Sequence, residues 1–212
     1  MSSRKKGLEG SKVRGLIAAG CWLLLCACSD TTLYRAGRDY FPLIPGSEWR
    51  YQFGTDTTYL SVDSSQQVIQ GQTCTVLYRN FAPEYWTKGL TEVRKFFVLA
   101  SGYGETLEAR FGLVYQLPLV LGSVWQDEFF DTLLVRGDTI YFSHSLAGRV
   151  AAIEAVSTLA GTFYDCYRLD FQEQVVDPET TTTQFTEWLA PGVGVVKRQT
   201  SAGDELLIEY KR

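Results

Sequence analysis

The sequence predicts an all-β fold: an antiparallel curved sheet, a half-barrel or open sandwich, built from two duplicated half-domains. Three observations carry the prediction. Short segments rich in β-branched and aromatic residues recur along the 212-residue chain, with Gly, Asp and Ser between them. Within them apolar and polar residues alternate, as Trp49, Tyr51 and Phe53 do with Arg50 and Gln52. A motif beginning at Phe41 then returns at Leu117, and such self-similarity sets an architecture before any single element does.

Taken in order, the segments expected as strands begin with Trp49–Phe53, where a Pro-Leu entry and a Gly turn bring the Trp to an inward face. Tyr59–Val62, Thr73–Tyr78 and Val93–Leu99 follow, then Leu133–Arg136, Thr139–Phe142 and Phe163–Phe171. Phe185–Leu189, Val193–Arg198 and Leu206–Tyr210 complete the set. Only Arg149–Leu159, with Ala151, Ala152 and Ala155, has a helical argument.

The repeat has three blocks. Pro42, Leu43, Gly46, Ser47, Trp49 and Phe53 recur as Pro118, Leu119, Gly122, Ser123, Trp125 and Phe129. Gly71-Gln-Thr-Cys74 is echoed by Gly161–Cys166, and Leu99–Gly104 by Leu189–Gly194. The offset grows along the chain, which places an insertion near residues 139–155. Residues 41–212 therefore read as one domain of two repeats, about 41–112 and 117–210. Trp49, Trp125, Gly104 and Gly194 are its structural anchors, with each Trp expected in the core.

The N-terminus is organised differently. Arg4, Lys5, Lys6, Lys12 and Arg14 precede an uncharged run, Gly15–Ala27, too short for the about 20 apolar residues of a membrane span. The run ends in Leu25-Cys-Ala-Cys28, followed abruptly by Ser29-Asp-Thr-Thr32. This arrangement resembles a bacterial lipoprotein signal peptide and its lipobox. The resemblance implies a signal peptide over residues 1–27, acylation of Cys28 and a lipidated tether over 28–40. It also implies a membrane anchor in the cell envelope. Ser29, rather than Asp, after the acylated cysteine implies sorting to the outer membrane in Gram-negative cells, the periplasmic side being favoured.

Loss of the leader leaves 15 basic against 23 acidic residues, a net charge near −8. A surface this acidic offers no footprint for nucleic acid or anionic headgroups, so the lipid must hold the membrane unaided.

The body also resembles the TapB-like family of bacterial lipoproteins. The matching residues are Tyr40-Phe-Pro-Leu43 with Gly46, Trp49 and Tyr51; Leu117-Pro-Leu119 with Gly122 and Trp125; Ala160–Phe163 with Cys166; and Trp188–Lys197. Leu189 stands where members of the family more usually carry an aromatic residue. The resemblance implies a β-rich envelope domain and brings no catalytic residue with it.

No catalytic, cofactor or metal site emerges. His144, the single histidine, lies in Ser143-His-Ser145 and is expected on the surface, at a loop or strand end. No Gly-x-Ser-x-Gly elbow accompanies it, and no ligand spacing surrounds it. Asp127 and Glu128 are adjacent on a strand and point to opposite faces, so they cannot share a proton transfer. With Glu108, Glu173 and the other scattered acids they read as a solvated acidic surface. Cys74 and Cys166 occupy equivalent places in the repeats. A disulfide between them needs both near a pseudo-twofold axis, with Cα atoms within about 7 Å, and two buried free thiols are the favoured alternative.

The function expected is that of a non-enzymatic binding module for an apolar ligand or acylated partner. A scaffold or assembly factor for another envelope protein is the alternative, and an envelope hydrolase ranks last. A closed apolar pocket would favour the first and an exposed apolar patch the second.

Overall fold

The computed structural model describes residues 38–100, 106–135, 138–177 and 179–212. The expected signal peptide, Cys28 and most of the tether lie outside the described residues, as do Gly102 and Gly104. Among the described residues twelve strands form one antiparallel sheet. The first six are β1 (Glu48–Phe53), β2 (Asp56–Ile69), β3 (Gln72–Arg79), β4 (Ala82–Lys88), β5 (Glu92–Ala100) and β6 (Thr106–Gln116). The second six are β7 (Val124–Val135), β8 (Asp138–Thr158), β9 (Gly161–Asp177), β10 (Glu179–Ala190), β11 (Gly194–Thr200) and β12 (Gly203–Lys211). Among the described residues no helix is long and apolar enough to cross a membrane.

The order across the sheet is β6-β5-β4-β3-β2-β1-β12-β11-β10-β9-β8-β7. Each half is thus a six-stranded meander, and the two join where β1 pairs with β12. The sheet curls into a nearly closed barrel, further than the expected half-barrel. Its two end strands meet at a seam through side chains. Trp125 Nε1 donates to Val114 O at 2.8 Å, Leu113 N donates to Asp127 Oδ1 at 3.0 Å, and Arg110 Nη2 donates to Asp127 Oδ2 at 2.6 Å. Gly112 makes room for this contact, since a Cβ there would lie 2.8 Å from Asp127 Oδ2.

The core lies inside the curl. Trp49 and Tyr51 are buried on alternate positions of β1, while Arg50 on the other face pairs with Glu209. Trp125 packs so closely on β8 that a Cβ at Gly148 would fall 2.3 Å from its ring.

The glycine turns that precede β1 and β7 are alike in geometry. Gly46 and Gly122 share a φ of 84°. Gly46 N donates to Val62 O and Val62 N to Ser47 O; Gly122 N donates to Val150 O and Val150 N to Ser123 O. Trp49 is the second residue of β1 and Trp125 the second of β7; Cys74 lies in β3 and Cys166 in β9.

Of the third block, Leu189–Gly194 leads from β10 to β11, while its expected match at Gly102 and Gly104 lies outside the described residues. Two Trp–Lys pairs are arranged alike: Trp86 on β4 with Lys95 on β5, and Trp188 on β10 with Lys197 on β11. Each pair is directly cross-strand, with the ammonium over the indole at 5.5 and 4.8 Å. The helical argument for Arg149–Leu159 is also overturned, because its alanines lie on β8.

Candidate functional site

The interior of the barrel holds a partly open cavity of about 240 Å³. Phe41, Trp49, Trp86 and Tyr115 form its aromatic wall, and Phe41 touches both Trp86 and Tyr115 at centroid distances of 5.0 and 5.1 Å. Strand alternation delivers charged side chains to the same space. Arg79 comes from β3, Glu84 from β4, Lys95 from β5, Glu173 from β9, Glu187 from β10, Arg198 from β11 and Glu205 from β12. Sequence reasoning expected an apolar interior, whereas the structure shows an aromatic cavity ringed by ion pairs.

The pairs have definite geometry. Lys95 Nζ donates to Glu84 Oε1 at 2.9 Å, with Arg79 Nε 3.5 Å from the same oxygen. Burial acts to raise the Glu84 carboxyl, but the Lys95 charge and hydrogen bond, with Arg79, outweigh it and hold it below the usual range. Tyr115 Oη donates to Glu187 Oε2 at 2.8 Å, and Tyr51 Oη donates to Val195 O at 2.8 Å. Burial drives both phenols well above their ordinary value, reinforced at Tyr115 by the Glu187 charge, so each remains a protonated donor.

Behind this cavity sits His144, which corrects the expectation of a surface residue. It lies in mid-β8, 1% exposed, with its ring edge-on to Phe97 at 5.1 Å. Its Nδ1 is 2.7 Å from Glu108 Oε2 and its Nε2 is 3.1 Å from Glu173 Oε1. Burial opposes the imidazolium, yet the hydrogen bonds to the two carboxylates prevail and raise its pKa to about 9. In return the His144 hydrogen bond holds Glu173 below the usual carboxylate range, with Arg198 and Lys95 contributing. Glu108, whose side chain is 0% exposed, also meets Arg110 Nε at 2.9 Å.

A chain of charges therefore runs Asp127–Arg110–Glu108–His144–Glu173 from the seam to the cavity. Glu108, Glu173 and Asp127 are part of this interior network, not the solvated surface the sequence suggested. Glu128 is exposed, as expected, on the opposite face from Asp127.

Cys74 and Cys166 are buried free thiols and form no disulfide. Five strands separate them in the sheet order. Among the described residues no group of three or more His, Cys, Asp and Glu is placed to share a metal ion.

Residues 142–211, running from β8 to β12, match the DUF3108-like family. No curated protein matches the chain significantly. Two solved structures align with it. One is a protein assigned as a lipoprotein from Parabacteroides distasonis, 14% identical, with a TM-score of 0.48 over 82% of this chain and 99% of that chain. The other is the hypothetical lipoprotein YmcC from Escherichia coli, 9% identical, with a TM-score of 0.39 over 80% of this chain and 86% of that chain. The TapB-like resemblance rests on the sequence motifs alone, while the DUF3108-like match falls on the second meander.

Proposed function

We propose that this is a lipoprotein, anchored in the outer membrane through Cys28, whose curled sheet binds an amphipathic ligand without chemical turnover. The observation that carries the binding role is the cavity, in which an aromatic wall faces converging ion pairs. Ligand sites characteristically combine a largely apolar lining with a few placed polar groups. A volume of about 240 Å³ is roughly eight water volumes, so the part of a ligand held there is small: a short apolar segment and its head group. This narrows the expected apolar ligand to an amphipathic one.

The non-enzymatic reading is supported by His144. Both ring nitrogens are engaged by carboxylates, and a pKa near 9 keeps the ring protonated at neutral pH, where a general base must be free. The acidic surface argues against nucleic acid as a partner. A role as scaffold for another envelope protein has one observation in its favour. Phe130 and Tyr141, diagonal neighbours on β7 and β8, are 70% and 72% exposed.

The test uses full-length protein recovered from its own membranes. The wild type is expected to lack residues 1–27, carry acyl mass on Cys28 and bind octanol with a change in tryptophan fluorescence. Val195→Phe, which fills the cavity, should lose octanol binding at an unchanged melting temperature. Cys28→Ala should accumulate as an unprocessed precursor. Unchanged octanol binding in Val195→Phe defeats the cavity reading, and normal processing of Cys28→Ala defeats the anchor.

A further inference from the structure

Arg198 stands apart from the other charges of the cavity. Its guanidinium lies 4.4 Å above the ring of Phe185, which itself stacks on Phe171 at 4.8 Å and 14°. The cation is thus the outer layer of a three-tier stack that holds its plane in place. Among the described residues its one ion contact is Nε to Glu187 Oε1 at 3.7 Å, beyond hydrogen-bond length, and Nε is buried without an acceptor. Glu187 has already taken a hydrogen bond from Tyr115. Arg79, which also lines the cavity, is similar, reaching Glu84 at 3.5 Å and Glu205 at 3.7 Å.

The remaining ionic groups are better matched. Glu84 accepts from Lys95 at 2.9 Å and from Trp86 Nε1 at 3.1 Å, and Glu173 is neutralised by the imidazolium of His144. Among the described residues, then, the two arginines lining the cavity make no hydrogen bond with a protein acceptor, while the lysine and most of the carboxylates do. A planar guanidinium with free N–H groups is matched in shape to the two oxygens of a carboxylate or phosphate.

We infer that the cavity selects amphipathic ligands with an anionic head group, a carboxylate or a phosphate, and that Arg198 receives it. The inference rests on the cavity-binding function proposed above and adds the charge of the ligand. Arg198 supplies the fork, Arg79 lines the same cavity as a second cation, and the aromatic wall takes the apolar segment. Tight prior pairing of Glu84 and Glu173 leaves their charges compensated when the anion arrives.

The experiment is calorimetric titration of the full chain with four probes sharing one tail: octanoate, octyl phosphate, octanol and octylammonium. Octanoate and octyl phosphate are expected to bind at least about 10-fold more tightly than octanol and octylammonium. Arg198→Gln should weaken both anions by about 10- to 100-fold and octanol far less, because it removes charged hydrogen bonds that only the anions make and leaves the aromatic wall in place. Arg198→Lys, which keeps the charge and loses the fork, should fall between the two.

Octylammonium binding as tightly as octanoate overturns the inference, as does an intact anion preference in both Arg198 variants. In either case octanol binding shows that the cavity function itself stands. Binding of no octyl probe at all defeats the cavity function and this inference with it. Acetate and inorganic phosphate serve as free-anion arms. Affinities equal to those of octanoate and octyl phosphate would show an anion site without a tail site, and overturn the amphipathic assignment.

Discussion

Replacing His144 with Gln removes a cation buried between two carboxylates, and the cost follows from the structure. The imidazole titrates at about 9 against an ordinary 6.5, so its protonated form is favoured in the folded protein. A shift of that size corresponds to about 3 kcal/mol, and at 1% exposure little of it is lost to solvent screening. Because the folded pKa is the higher one, this stabilisation is complete below pH 6.5. It declines as pH rises and is gone above about 9. In His144→Gln it is absent at every pH, and Glu108 is left buried with Arg110 as its cation. Breaking a buried pair in this way costs about 3–5 kcal/mol, or about 6–20 °C in melting temperature for a domain of this size. Urea denaturation followed by tryptophan fluorescence between pH 6 and 10 measures both effects. Wild type and variant should differ most at pH 6 and converge toward pH 10. Parallel stability profiles across that range would refute the claim that His144 is held as an imidazolium. A Glu108→Gln/His144→Gln double variant should lose less than the sum of the single losses, since each single change strands the other residue. These are measurements of folding, so a failure of His144→Gln in a cellular assay says nothing of catalysis unless the variant is first shown to be folded.

Two further perturbations address the scaffold. Gly148→Ala places a Cβ against the indole of Trp125 and should destabilise by about 1–3 kcal/mol in the same denaturation assay; a neutral effect would mean that the ring does not lie on the strand. Asp127→Ala removes the acceptor of Leu113 N–H and the partner of Arg110, at a cost of about 2–3 kcal/mol, and should speed amide exchange at Leu113 selectively. Unchanged protection there would show that the seam is held by other contacts.

The sheet was legible in sequence wherever one face of a strand is wet. Trp49 to Phe53 alternates cleanly because Arg50 and Gln52 reach solvent. β6 escaped notice because Leu107 and Glu108 are both buried, as are Phe111 and, further on, Val114 and Tyr115, so it has no period-2 pattern. β4 escaped because Pro83 interrupts it, and proline in a run argues against a strand unless the ladder leaves its nitrogen free. The candidate site failed to appear for a different reason. Glu108 and His144 are 36 residues apart on strands that meet only when the sheet curls, and no local pattern distinguishes a buried Glu from a solvated one. A weak signal did exist in the pairs Trp86/Lys95 and Trp188/Lys197, at the same spacing in each half.

The relation between the halves separates scaffold from site. What the two meanders share is mechanical: the glycine turn before the first strand, the buried Trp that follows, and the lysine laid across an indole. What they do not share clusters at the seam and the cavity. Tyr51 and Asp127 stand at corresponding positions, second after the Trp, yet their strands face different needs. β1 has β12 as a ladder neighbour, which satisfies its backbone, and Tyr51 is free to reach across to Val195 O. Among the described residues β7 lies at one end of the sheet order with no ladder partner beyond it, and β6 lies at the other end. A carboxylate at 127 accepts the Leu113 amide as a neighbouring strand's carbonyl would, and its charge recruits Arg110. Arg110 in turn neutralises Glu108, which allows a second acid to be buried against His144. The curled sheet thus closes with side chains where backbone pairing ends, and the charge introduced for that closure continues inward to Glu173 at the cavity wall.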